Sequence, residues 1–212
     1  NYIMSAIGEH IFHGLILSFL LIGIWDVTLN YEKNKCEMTY MWEMPTYKQI
    51  HLGENVSKLY PDYSLYVYAE GEYRIRELEK NKFKGVPVLF IPGHGGSHEQ
   101  ARSLGSVLLR KAISSSTTFH FDVFTVDFSW PSLGKSQKLT MLGLPLCIEK
   151  ILSLYKNDPK PNSVAIVGHS MGGVIARGLF TIPQFNHDLV KTIILLATPA
   201  IAPVLNADQL HS

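Results

Sequence analysis

Short apolar runs alternate along this chain with stretches in which apolar residues recur at helical spacing. Four of the runs are predominantly apolar rather than alternating, as expected for strands that are covered on both faces. They lie at 88–91, 121–127, 164–167 and 192–197. Two earlier segments, 47–52 and 64–69, are rich in β-forming residues and predict a leading antiparallel edge. Strands that alternate with helices predict the α/β class, a mostly parallel sheet with helices on both faces.

Three helices are predicted between these strands. The first begins at Ser97, where Ser-x-x-Gln with Gln100 forms a capping box. The second begins at Pro145, because proline is tolerated in the first turn of a helix. The third follows Ser170 and must end before Pro183. One globular domain is the expectation for 212 residues of which 46% are hydrophobic.

The amino end differs in kind from the rest of the chain. No Asp, Glu, Lys or Arg occurs from His10 to Trp25. As a helix this stretch would span about 24 Å, against about 30 Å for the hydrocarbon core of a membrane. We predict an uncleaved transmembrane signal anchor over 11–27, since no small-x-small cleavage site follows Trp25. A cleaved signal peptide and a buried helix are the alternatives.

Charge and cysteine content exclude several kinds of function. The formal net charge is +1 and no Lys/Arg cluster stands out, so nothing favours a nucleic-acid surface and no nucleic-acid partner is predicted. Cys36 and Cys147 lie far apart without Cys-x-x-Cys spacing, which excludes a thiolate zinc site. Cys147 is interpreted as a buried free thiol. No ligand cluster or phosphate-cradling motif occurs, so neither a metal nor an organic cofactor is predicted.

Candidate chemistry centres on Ser170, in Gly168-His169-Ser170-Met171-Gly172-Gly173 between a predicted strand and a predicted helix. This is the pattern of a nucleophile elbow, the tight turn that lifts a catalytic serine above a sheet. Gly168 and Gly172 are expected where side chains would collide with neighbouring backbone. A coincidental Gly/Ser turn is the alternative.

A nucleophilic serine needs donors for the oxyanion that forms on attack. We predict the backbone N–H of Met171 as one donor, because it lies at the start of the third helix. The N–H of His94, in the glycine-rich stretch 93–96 after an earlier strand, is predicted as the other. The alternative for 93–96 is a turn with no role in binding.

The base that would accept the serine proton is not recognisable in this chain. An α/β-hydrolase takes its acid and then its histidine from positions after the serine. His187 and Asp188 precede a strand, on the wrong side of the sheet, while Asp208 and His211 lie near residue 212. None of the four is predicted as a member of a catalytic triad.

These residues resemble a known family, the GPI inositol-deacylases of the endoplasmic reticulum. Its members are membrane-anchored α/β-hydrolases that remove the acyl chain from the inositol of glycosylphosphatidylinositol anchors. The resemblance includes a juxtamembrane block that is far more specific than the elbow. The matching stretches are 25–27, 31–41, 43–47, 85–93, 96–97, 100–106, 163–177 and 197–199. This chain departs from the pattern of the family at His94, where an asparagine is expected, and at His98, where an aromatic residue is expected.

The resemblance implies an α/β-hydrolase fold that is incomplete at the carboxyl-terminal end, with the catalytic Asp and His beyond residue 212. It implies a membrane protein of the endoplasmic reticulum with a lumenal hydrolase domain, which suits the glycosylation sequon at Asn55. GPI-anchored proteins would be the substrates, and their deacylation would aid their export. The expected division is a flank at 1–10, the anchor at 11–27, a juxtamembrane lumenal segment at 28–60 and the hydrolase domain at 61–212.

Two other functions remain open from the sequence. One is a general lipase, esterase or acyltransferase that shares the elbow. The other is a truncated product without activity, which lacks its base or binds a partner through an unfinished sheet edge.

Overall fold

The computed structural model describes residues 2–30, 43–60, 63–80, 82–115, 119–128, 137–156 and 159–201. The chain divides into two compact units, 1–38 and 39–212. The first unit contains a long helix, and the second contains a sheet with its covering helices.

The helix of the first unit, α1, comprises Tyr2–Leu29. Its stretch Gly8–Leu29 is long and apolar enough to cross a membrane, and its side chains are exposed. The hydroxyl of Ser18 donates to the carbonyl of Gly14 at 2.8 Å, so this polar group is satisfied inside the helix. A side chain that bonds its own helix needs no water, which suits an apolar environment.

The second unit is built from strands and helices in alternation. In chain order they are β1 (Pro45–Ile50), α2 (Glu54–Leu59), β2 (Tyr63–Glu70), α3 (Glu72–Glu79), β3 (Val86–Ile91), α4 (Arg102–Ser114), β4 (Phe121–Phe128), α5 (Gln137–Ser153), β5 (Ala165–His169), α6 (Met171–Gly178) and β6 (Thr192–Leu196). Short 3-10 turns lie at His98–Ala101, Leu179–Thr181 and His187–Leu189.

The strands form a six-stranded sheet in the described part of the chain, in the order β1-β2-β4-β3-β5-β6. β2 runs antiparallel to both of its neighbours, β1 and β4, whereas β4, β3, β5 and β6 are parallel. The predicted α/β class and its leading antiparallel edge are confirmed. β1 lies inside the segment 28–60, so the sheet begins at Pro45.

Both faces of the sheet are covered by helices. Leu89 and Ile91 of β3 belong to an apolar cluster with α5 and α6 on one face. Val88 and Phe90 belong to a second cluster with α4 on the other face. Burial of alternate residues on opposite sides explains the continuous apolar run of this strand.

The prediction that the second helix begins at Pro145 is wrong, because α5 extends over Gln137–Ser153 and contains Pro145 in its interior. An interior proline lacks the N–H for the helical hydrogen bond and costs about 3 kcal/mol. Leu144, Ile148 and Ile151 are fully buried, and each such side chain contributes about 1.5–3 kcal/mol. The burial of one helix face therefore offsets the proline.

A buried carboxylate joins several elements at the amino ends of the parallel strands. Asp122, near the start of β4, is fully buried. It accepts hydrogen bonds from the guanidinium of Arg74, from the N–H of Gly85 at 2.8 Å and from the hydroxyl of Tyr155 at 2.9 Å. Burial, and next the charge of Asp122, raise the pKa of Tyr155 well above its usual value, so this hydroxyl remains a donor.

Asp122→Asn is expected to lower the free energy of unfolding by about 3–5 kcal/mol, because it leaves the buried charge of Arg74 uncompensated. Pulse proteolysis of the detergent-solubilised protein across a urea series measures this change. Glu72→Gln is the control, since the bond of Glu72 to Arg76 lies on the surface and contributes less than about 1 kcal/mol. Equal effects of the two variants would contradict a structural role for the Asp122 network.

Cys147 is a buried free thiol, as predicted. Burial raises its pKa to about 12, and the thiolate is the reactive form of cysteine. In a Cys36→Ser background we expect no reaction with DTNB at about pH 8 in the folded protein, and full reaction after denaturation. Labelling of the folded protein as fast as free cysteine would show that this part of α5 is open to solvent.

Candidate active site

Ser170 occupies the turn between β5 and α6 in a conformation that non-glycine residues rarely adopt. Its backbone angles are φ 51° and ψ −120°. Such a conformation costs about 1–3 kcal/mol, persists only where the surrounding structure enforces it, and is concentrated at active sites. The turn places Ser170 at the carboxyl edge of the sheet, directly after β5.

Gly168 and Gly172, on either side of Ser170, have no space for a side chain. A Cβ atom on Gly168 would lie 2.5 Å from the Cα of Gly173, and one on Gly172 would overlap the carbonyl oxygen of Ile91. Both clashes are with backbone, so rotation of a side chain cannot relieve them. The start of α6 is therefore seated directly against the end of β3.

The segment after β6 supports the same turn from another side. The N–H of Ser170 donates to the carbonyl of Leu196 at 2.8 Å. The hydroxyl of Thr198 donates to the carbonyl of Gly168 at 3.4 Å, and its side chain fills the space that a Cβ atom on Gly173 would need. The sequence assigns no role to Thr198, and its position directly after an apolar strand is the signal that could have found it.

The loop that follows β3 touches the elbow directly. We call residues 93–101 the donor loop. A Cβ atom on Gly93 would lie 2.9 Å from Nδ1 of His169 and 3.1 Å from the Cβ of Ser170. Glycine at this position therefore lets the donor loop approach the candidate nucleophile as closely as backbone can.

His94 occupies the second position of a four-residue turn in the donor loop. The turn is closed by a hydrogen bond from the N–H of Gly96 to the carbonyl of Gly93 at 3.0 Å. Gly95 has φ 66°, the positive angle that a type II turn requires at its third position. The side chain of His94 is exposed, and its backbone directly follows the residue that contacts Ser170.

Gln100 holds the beginning of the donor loop. Its Oε1 accepts the N–H of Gly93 at 3.1 Å. Ser97 caps the 3-10 turn by accepting the N–H of Glu99 at 3.3 Å. The predicted capping box does not form, because the side chain of Gln100 bonds Gly93 and not the N–H of Ser97. The sequence indicates a glutamine at a helix start but does not indicate which backbone group it bonds.

Met171 is the first residue of α6 and directly follows Ser170. The first N–H groups of a helix have no acceptor within it and lie at its positive end. The N–H of Gly173 donates to the carbonyl of Ser170 at 3.1 Å, which closes the first turn. The N–H of Met171 is thus suited to an anion that forms at Ser170.

Of the candidate acids and bases after Ser170, the two in the described residues, His187 and Asp188, are not brought to it. His187 and Asp188 lie in the 3-10 turn ahead of β6. Because β5 and β6 are parallel, that turn and Ser170 lie at opposite edges of the sheet. Asp208 and His211 fall outside the described residues.

Two other sequence predictions concern groups away from Ser170. Asn55 lies in α2, and its side chain is outside the described part of the molecule. Within the residues that the structure describes, no group of three or more His, Cys, Asp or Glu side chains could hold a metal ion.

Comparisons with known proteins cover the same residues. The model of the PGAP1-like alpha/beta domain family matches residues 82–212. GPI inositol-deacylases of Xenopus laevis, Mus musculus and Drosophila melanogaster are 49%, 43% and 37% identical to this chain over 205, 203 and 198 residues. The matches cover 93%, 93% and 92% of this chain and 22%, 22% and 20% of those relatives. The chain thus spans about a fifth of the length of the curated relatives it matches.

Among solved structures, an epoxide hydrolase from Vigna radiata is similar, with 12% identity and a TM-score of 0.46 over 79% of this chain and 45% of that chain. The family match spans the donor loop, the elbow and the segment after β6, which are the three parts that meet at Ser170. The family resemblance inferred from the sequence is confirmed: the chain belongs to the PGAP1-like alpha/beta domain family.

Proposed function

We propose that this chain is the amino-terminal part of a GPI inositol-deacylase, a serine hydrolase that removes the acyl chain from the inositol of GPI anchors. The observation that carries the proposal is the strained backbone of Ser170 at the contact between α6 and the donor loop. The names of the relatives, GPI inositol-deacylase, support the choice of substrate.

In the proposed reaction the hydroxyl oxygen of Ser170 attacks the carbonyl carbon of the acyl ester while a base accepts its proton. The carbonyl oxygen becomes an oxyanion, which accepts hydrogen bonds from the N–H groups of Met171 and His94. The inositol oxygen leaves with the proton from the base, and the acyl chain remains on Ser170. Water then attacks this ester with help from the same base, which releases a fatty acid and restores the serine.

We infer that the base and its acid partner come from residues after 212 in the full-length protein. The exposure of β6 supports this inference. In the described part of the chain β6 pairs with β5 alone, and Ile194, Leu195 and Leu196 are 48%, 37% and 41% exposed. A parallel strand with apolar side chains on both faces is typical of a sheet interior, so further strands would cover it.

The proposed location is the endoplasmic reticulum membrane, with the hydrolase domain on the lumenal side. The apolar stretch Gly8–Leu29 supports a membrane anchor by its length and composition. The curated relatives support a substrate that is itself held on a membrane. A lumenal hydrolase domain would place Asn55 in the compartment where N-glycosylation occurs. Asn55 therefore stays a proposed glycosylation acceptor.

Ser170→Ala in the full-length protein is expected to lower deacylation by at least about 10⁴-fold, because the nucleophile is lost. Cells that lack the endogenous protein are rescued with each variant, and mass spectrometry measures the ratio of acylated to free inositol in GPI. Ser114→Ala, which removes an exposed hydroxyl at the end of α4, is the matched control and should act like wild type. Undiminished deacylation by Ser170→Ala would refute the proposal, and comparable hydrolysis of ordinary acylglycerols would favour a general lipase.

His94→Pro tests the backbone donor of the donor loop. Proline is compatible with the second position of a type II turn and removes the N–H. Loss of one oxyanion donor lowers kcat by about 10²–10³-fold. His94→Ala removes the side chain and keeps the N–H, so its kcat should stay near wild type. Equal kcat values for the proline and alanine variants, measured per folded protein, would contradict the assignment.

A further inference from the structure

His98 is surrounded by a set of groups that the proposed reaction does not yet use. Its Nδ1 lies 2.5 Å from Oδ2 of Asp127 at the end of β4. Its ring stacks on Tyr66 of β2, with centroids 4.1 Å apart and planes at 15°. Tyr47 of β1 meets the same ring edge-on, at 5.0 Å and 83°. The side chain of His98 is therefore fixed in direction as well as in position.

The pair His98 and Asp127 lies at the same edge of the sheet as Ser170. Phe90 of β3 is in register with Thr125 of β4 on one side and with Val167 of β5 on the other. Asp127 lies two residues after Thr125 on β4, and His169 lies two residues after Val167 on β5. Asp127 and His169 therefore lie at the same distance along the strand direction, at the carboxyl edge of the sheet. Two strand spacings separate their backbones by about 10 Å.

The 3-10 turn that carries His98 also carries the group that holds the donor loop. Gln100 lies two residues after His98, and its Oε1 accepts the N–H of Gly93. The hydroxyl of Tyr47 donates to the carbonyl of Glu99 at 3.3 Å, which ties the backbone between them to β1. A displacement of His98 would therefore move Gln100, and with it the residue that contacts Ser170.

The donor loop needs such a support because its first four positions include three glycines, which resist bending least. Asp127 offers an acceptor to Nδ1 of His98, so that nitrogen carries the hydrogen in the neutral ring. The pairing is directional, and the stacking on Tyr66 fixes the plane of the ring. Together they fix the 3-10 turn at the end of the loop remote from Ser170.

We propose that His98 and Asp127 are positioning residues, which set the height of the donor loop above the sheet and thereby the oxyanion donor at Ser170. This inference rests on the proposed function. His98 and Asp127 act through Gln100 and Gly93 and do not touch the substrate. The oxyanion forms only during the reaction and is absent from the bound substrate. The His98–Asp127 hydrogen bond therefore acts on kcat, through the stabilisation of the transition state.

The experiment measures kcat and KM for inositol deacylation by the full-length protein in detergent, with active sites counted by fluorophosphonate labelling of Ser170. His98→Phe keeps the stacked ring and removes the hydrogen bond, and Asp127→Ala removes the acceptor. Each should lower kcat per active site by about 10-fold, less than the ~10²–10³-fold of a deleted donor, with KM within about twofold.

Rescue and coupling distinguish positioning from general stability. His98→Asn places an amide donor near the position of Nδ1 and should recover most of kcat. The double variant His98→Phe with Asp127→Ala should be no slower than either single variant, because one interaction is lost in all three. His187→Phe, in the exposed turn ahead of β6, is the matched control and should leave kcat unchanged.

The outcomes separate this inference from the function on which it rests. Wild-type protein without deacylase activity would refute the proposed function. Active wild type with unchanged kcat per active site in both His98→Phe and Asp127→Ala would overturn the positioning role. A fall in the number of labelled sites at constant kcat would likewise overturn it, since that result means a purely structural contact. If His98→Phe yields no folded protein, Asp127→Ala decides the question by the same measurement.

Discussion

The close packing of the Ser170 turn against the end of β3 is the constraint on which the candidate site depends. No space remains for a side chain between Gly172 and the carbonyl of Ile91, or between Gly93 and Ser170. The start of α6 and the donor loop therefore converge on one serine. The hydrogen bond from Ser170 to the carbonyl of Leu196 opposes relaxation of the strained turn. These contacts join three parts of the chain at the serine: the end of β3 with the donor loop, the elbow, and the end of β6.

The two edges of the sheet differ in how their polar groups are arranged. At the amino edge, Asp122 is fully buried and bonded by three donors, which suits a role in stability. At the carboxyl edge, His98 and Asp127 are partly exposed and border a glycine-rich loop. β4 carries both aspartates, five residues or about 16 Å apart at about 3.3 Å per residue. Stability and the proposed chemistry are thus separated along one strand.

Local patterns predicted much of the fold. The apolar run of β3 is visible in sequence because each of its faces is buried, and the elbow is visible because close backbone approach permits only glycine. Local patterns did not predict the start of α5. Pro145 disfavours a helix interior by local preference, but the burial of Ile148 and its neighbours outweighs that preference. Gln100 is an intermediate case. The residue type predicted a hydrogen bond to backbone, but the sequence did not predict that the donor would be the N–H of Gly93.

The sequence by itself determined the α/β class, the position of the elbow and the family, because hydrophobic period and glycine spacing are properties of neighbouring residues. Only the tertiary structure decided which distant residues meet at Ser170. Thr198 reaches Gly168 across 30 positions, and His98 reaches Asp127 across 29. Such pairings follow from the order and register of strands, and these are set by the packing of the whole sheet rather than by any one segment.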